Sequence, residues 1–183
     1  MKIFYFIFSA IFIAYLILPG YEFPTPPQDS LQSQEPADIE TPLRKAYFTN
    51  YTRNGTLNHY FLQLARSPVL GILMPTYRLN YPPEEAQAII RDQTRSTFLE
   101  EIVHPLRESL FVNGFQAKDE KDTILIADKV WLHKITVRYV PSSGYFRLIV
   151  GIAILVLLPI IINSWGLTLT SLMKELSQKW NSR

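Results

Sequence analysis

Residues 148–162, Leu-Ile-Val-Gly-Ile-Ala-Ile-Leu-Val-Leu-Leu-Pro-Ile-Ile-Ile, carry no charge and no hydrogen-bonding side chain. With the flanking Tyr145, Phe146 and Trp165 the run covers about 20 residues, the length an α-helix needs to cross a bilayer. A second apolar run, Ile3 to Leu18, opens the chain. Residues 21–145 between them are too polar to enter lipid. The expected layout is therefore residues 1–20 as an N-terminal transmembrane helix or signal peptide, 21–43 as a proline-rich linker and 44–144 as a periplasmic α+β domain. Residues 145–165 follow as a transmembrane helix and 166–183 as a cytoplasmic amphipathic tail.

A charge at Lys2 ahead of an apolar stretch fits a signal peptide. No Ala-x-Ala-like site follows Leu18, and the run is longer than a usual signal core, which favours an uncleaved anchor. Ala10 and Ala14 form a small-xxx-small pair able to seat another helix. Orientation follows the positive charge. Lys2 and the α-amino group lie on the short side of the first run, whereas residues 21–43 contain no Lys or Arg. Both termini are then cytoplasmic and residues 21–145 periplasmic, in a bacterial inner membrane.

Residues 21–145 hold 15 acids against 13 Lys and Arg, with no basic stripe, so no nucleic-acid partner is expected. The absence of cysteine excludes a disulfide scaffold, a thiolate metal site and a cysteine nucleophile. Five prolines in residues 21–43 predict an extended spacer.

Tyr60 to Ala65 fits either a short helix or a strand, and Leu70 to Asn80 reads as a strand with a bulge or edge at Pro75. Pro82-Pro83-Glu84-Glu85 has the chemistry of a helix start. Helical spacing then runs to about Val112, with Thr97-x-x-Glu100 as a second capping signal, a kink at Pro105 and Asn113-Gly114 as a left-handed cap. Thr123 to Ala127 reads as a strand and Asp128-Lys129 as a reversal. Residues 130–140 alternate as a strand, with Ile135, Val137 and Tyr139 on one side and Lys134, Thr136 and Arg138 on the other. The predicted order is β-α-α-β-β with helices on one sheet face, between two transmembrane helices. POTRA modules share that order, though no motif. In the tail, Leu169, Leu172, Met173, Leu176 and Trp180 form one helical stripe.

Glu100, His104 and Glu108 recur at i, i+4, i+8 and would present three metal ligands along one helix. That stripe lies opposite the expected apolar face, so solvated charges are the plainer reading and no cofactor is expected. His59 and His133 are isolated. Asn50-Tyr51-Thr52 and Asn54-Gly55-Thr56 match the N-glycosylation pattern, which matters only in a eukaryotic secretory protein. No nucleophile elbow, phosphate loop or HExxH occurs.

The function expected is that of a non-catalytic, two-span inner-membrane protein. Its periplasmic domain would dock a membrane-protein partner, as an accessory or assembly factor in envelope biogenesis, export or polysaccharide synthesis. One alternative is a subunit contributing Glu100, His104 or Arg78 to a glycosyl- or lipid-modifying enzyme. The other is a eukaryotic endoplasmic-reticulum glycoprotein.

Overall fold

The computed structural model describes residues 2–82, 84–86, 97–117 and 122–181. In chain order the elements are α1 (Lys2–Ile17), β1 (Leu31–Gln32), a 3-10 turn at Pro36–Asp38, β2 (Arg44–Thr49), α2 (Arg53–Leu64), β3 (Tyr77–Asn80), β4 (Phe98–Val103), β5 (Ser109–Gln116), β6 (Ile124–Ile126), β7 (Lys129–Trp131), β8 (His133–Val140) and α3 (Gly144–Asn181). They belong to two units: Leu18–Ser142, and Met1–Ile17 with Ser143–Arg183.

The larger unit is mixed α+β. Its antiparallel sheet runs β1-β2-β8-β5-β4-β3, and β6 and β7 form a separate hairpin. Because side chains alternate along a strand, the register places Phe98 and Ile102, Leu110 and Val112, Ile135, Val137 and Tyr139, and Tyr47 on one face. That face forms the main core. Helix α2 covers it with Thr56, Leu57, Tyr60 and Leu64, spaced to lie along one side. Thr52 caps the helix, its hydroxyl accepting from the Gly55 amide at 3.2 Å. On the opposite face Ala86 packs with Leu99, Tyr81 and Phe111.

The helix expected over residues 84–112 is overturned in its second part. Residues 84–86 are helical and 87–96 lie outside the described residues, but Phe98–Val103 and Ser109–Gln116 are paired strands. Phe98, Ile102 and Leu110 satisfy a period of two as well as one of 3.6, and sheet pairing decides between them. Thr97 is no helix cap; its hydroxyl donates to the Gly114 carbonyl at 2.5 Å. Pro105 lies in the turn of the β4–β5 hairpin rather than at a helix kink, with Leu106 at φ 60°. Gly114 is no cap either: it sits within β5 opposite Phe98, whose ring occupies the space a Cβ would fill. The expected β-α-α-β-β order falls with these changes, and with it the likeness to POTRA modules.

The Leu70–Asn80 strand shortens to Tyr77–Asn80; the helix-or-strand stretch Tyr60–Ala65 is the end of α2 and its C-cap, while β2 and the first half of α2 are not signalled in the sequence. Residues 21–43 are not a free spacer. Thr25 bonds Gln63, Asp29 accepts from Thr49 and Asn50, and β1 pairs with β2. Lys134 is held by Glu35 and Asp38, each at 2.8 Å. Burial alone would lower the Lys134 pKa, but these two carboxylates raise it above the ordinary value. The reversal after β6 is Ala127–Asp128, with φ of 52° and 58°, the backbone of a two-residue hairpin turn.

In the smaller unit α3 has 38 residues, about 57 Å of helix. It is long and apolar enough to cross a membrane. Helix α1 is apolar but has 16 residues, about 24 Å. The two run antiparallel, with Leu16 against Gly151 and Tyr5 near Leu155. The small residue at this contact is Gly151, where a Cβ would collide with Leu16; Ala10 and Ala14 are exposed. Pro159 lies four residues after Leu155 and has no N–H, so the Leu155 carbonyl loses its helical donor. The Tyr5 hydroxyl donates to that carbonyl instead.

Gly114→Ala should destabilise the domain by about 1–3 kcal/mol through overpacking against Phe98. Adding Phe98→Leu should recover most of the loss. Denaturant unfolding of the detergent-solubilised chain measures both.

Candidate functional site: an open sheet edge and its cleft

Strand β4 alternates Phe98, Glu100 and Ile102 onto the core face, so a carboxylate stands between two apolar side chains. Glu100 is 1% exposed. An ion costs several kcal/mol to bury unless it is compensated. Arg53, at the start of α2, pairs with its Oε1, and Arg78 of β3 approaches Oε2 at 3.6 Å. Arg53 also lies over the Phe98 ring, 5.2 Å from its centroid. Two guanidiniums, both about half exposed, thus share one carboxylate at the β3 end of the sheet.

All four residues of β3 are exposed, and its outer side pairs with no strand among the described residues. The Tyr81 amide donates to the Leu99 carbonyl at 3.2 Å, so Tyr81 and, two residues back, Leu79 turn their backbone groups toward β4. Arg78 and Asn80 therefore turn theirs outward. Beside this edge lies a cleft of about 340 Å³, lined by Arg53, Asn80, Tyr81, Pro82, Ala86, Thr97, Phe98 and Leu99. The Tyr81 hydroxyl donates to Glu101 Oε2 at 2.5 Å, and this bond, with burial, pushes its pKa up to about 12. Donors from Arg53 and Asn80, a backbone edge and apolar walls suit recognition of an extended chain bearing a carboxylate.

The residues singled out from sequence are separated by the hairpin. Glu100 meets Arg78 as described, whereas His104 and Glu108 sit at the other end of β4, flanking the turn. They are not solvated: both are at most 1% exposed. Glu108 accepts from Arg107 Nη2 at 2.9 Å and Nε at 3.3 Å, and the same Nη2 reaches the carbonyls of Leu18 and Pro19. His104 stacks on Tyr21 with ring centroids 5.0 Å apart, and its Nδ1 donates to the Pro75 carbonyl at 3.1 Å. Among the described residues no three His, Asp or Glu side chains gather as metal ligands. Buried His133 donates from Nδ1 to Tyr51 O, and His59 bonds Thr25 and Gln63. Asn50 and Asn54 are both exposed, but Thr56 of the second glycosylation pattern is buried within α2.

Arg53, Asn80 and Tyr81 were missed, because no motif links residues whose proximity is created by sheet pairing. No family model matches the chain, and neither a curated protein nor a solved structure matches it.

Glu108→Ala would remove the buried carboxylate that pairs with Arg107 and should destabilise the domain by about 3–5 kcal/mol. Replacing both residues with apolar ones of similar size should cost much less, as equilibrium unfolding will show. Burial lowers the pKa of His104 and of His133, outweighing the Pro75 and Glu108 contributions at the former and that of Tyr51 at the latter. The unfolded chain, whose histidines titrate near 6.5, then binds more protons than the folded one as pH falls. This stability is full above about pH 6.5 and is lost below it, toward the folded pKa values. The thermal midpoint should drop between about pH 6.5 and 5, and less steeply in His104→Asn.

Proposed function

We propose that this is a non-catalytic, two-span bacterial inner-membrane protein whose periplasmic domain captures an extended segment of a membrane-protein partner along β3. It would act as an accessory or assembly factor in envelope biogenesis, export or polysaccharide synthesis. The β3 edge, unpaired among the described residues, carries the reading: outward N–H and C=O groups of Arg78 and Asn80, beside two half-exposed guanidiniums that share one carboxylate. Exposed edges invite strand addition and are usually blunted where pairing is unwanted. The half-exposed guanidinium faces of Arg53 and Arg78 can also take a carboxylate of the partner segment.

Membrane placement is supported by the length and apolarity of α3 and by the charge asymmetry around α1. The Tyr5 bond to the carbonyl freed by Pro159 favours retention of α1 as a second span, since an orphan carbonyl in lipid costs several kcal/mol.

Proline at an outward-facing edge position removes a donor without breaking the β3–β4 ladder. Asn80→Pro should therefore abolish recovery of the partner after a photocrosslinker at Leu79 is activated in intact cells. Asn80→Ala should retain it. Equal recovery from both variants, or none from the parent chain, would refute strand capture.

A further inference from the structure

Between Arg66 and Arg78 the chain carries no charge, and Val69, Leu70, Ile72 and Leu73 are 62, 60, 52 and 73% exposed. These aliphatics are held out by an ordered loop. The Met74 amide donates to Ala65 O at 2.9 Å, Ser67 N to Ile72 O at 2.8 Å and Gly71 N to Ser67 O at 2.9 Å. Gly71 adopts a φ of +63°, and Arg66 Nη1 donates to its carbonyl at 3.2 Å.

The direction of the loop follows from α2. Arg53 at its start pairs with Glu100, whereas the residues that follow its end reach His104, which bonds Pro75 O. The helix therefore runs toward the β4–β5 turn, and residues 66–73 continue beyond it. That end of the domain also holds both chain exits. Arg107 binds the carbonyls of Leu18 and Pro19, and Val140 is paired with Ser109. From Ser142, two residues lead to Gly144, the start of α3, a reach of about 7 Å at most. The hairpin β6–β7 adjoins β8 at His133, the opposite end, with Leu125 61% exposed.

We propose that the loop of residues 66–73 inserts its aliphatic side chains into the bilayer at the boundary between headgroups and acyl chains, with Arg66 at the lipid phosphates. The inference rests on α3 spanning the bilayer. With a span starting only two residues after Ser142, this chain exit would lie close to the lipid, and aliphatics bordered by a cation suit the headgroup boundary.

The chain lacks cysteine, so Leu70→Cys, Leu125→Cys and Ile154→Cys each give one labelling site. Each full-length variant is labelled with an environment-sensitive fluorophore and reconstituted into phosphatidylcholine–phosphatidylglycerol vesicles. Some vesicles contain lipid spin-labelled near the glycerol, others lipid spin-labelled near the chain end. The expected result is several-fold stronger quenching at Leu70 than at Leu125 by the shallow label, with Ile154 quenched by the deep one. Equal quenching at Leu70 and Leu125 with Ile154 still quenched overturns the loop insertion alone. An unquenched Ile154 overturns the span and the insertion with it. A shielded Leu70 that no lipid label quenches, and whose emission follows the protein-to-lipid ratio, means another protein copy covers the loop and also overturns the proposal.

Discussion

Strands β5 and β8 pair along eight residues each, from Ser109 opposite Val140 to Gln116 opposite His133. One register fixes the side of every residue along them, since a slip of one position would exchange the core face for the other. Leu110, Val112, Ile135, Val137 and Tyr139 are thereby turned toward α2 together. Strands β2 and β4 add to the outer sides of this pair and inherit its alternation. The same register puts Glu100 on the apolar face and leaves β3 at the margin.

Buried charge is placed at both ends of β4. At one end Arg107 and Glu108 close the hairpin turn and fasten the chain at Leu18 and Pro19. At the other, Glu100 draws Arg53 from the helix and Arg78 from the edge strand. Such ions are costly to bury but fix geometry, since each has only a few partners that satisfy it. The first cluster is closed to solvent and the second is half open. Only the second therefore presents its guanidiniums to solvent.

What was legible in the sequence depended on how local its cause was. The apolar helix at 148–162 and the alternation of Ile135, Val137 and Tyr139 are written into consecutive residues, and both are found. Residues 98–110 were misread because their apolar spacing fits two periods, and the deciding term is pairing with β5 and β8. Only the end of helix α2, Tyr60–Ala65, is suggested by the sequence, and there a strand fits as well; although Thr52 caps the helix, its mean polarity hides the buried side formed by Leu57, Tyr60 and Leu64. The site was less accessible still. Arg53 and Glu100 are 47 positions apart, and nothing near either residue announces the other. Glu100, His104 and Glu108 looked like a set through helical spacing, which a hairpin dissolves.

Tyr5 and Leu155 are 150 positions apart, so the donor that replaces the one lost at Pro159 is synthesised well before its acceptor. Helix α1 therefore leaves the ribosome long before the helix it will brace. Until then its tyrosine hydroxyl must find another polar partner. Maturation of the helical pair is thus timed by completion of the polar domain encoded between its halves.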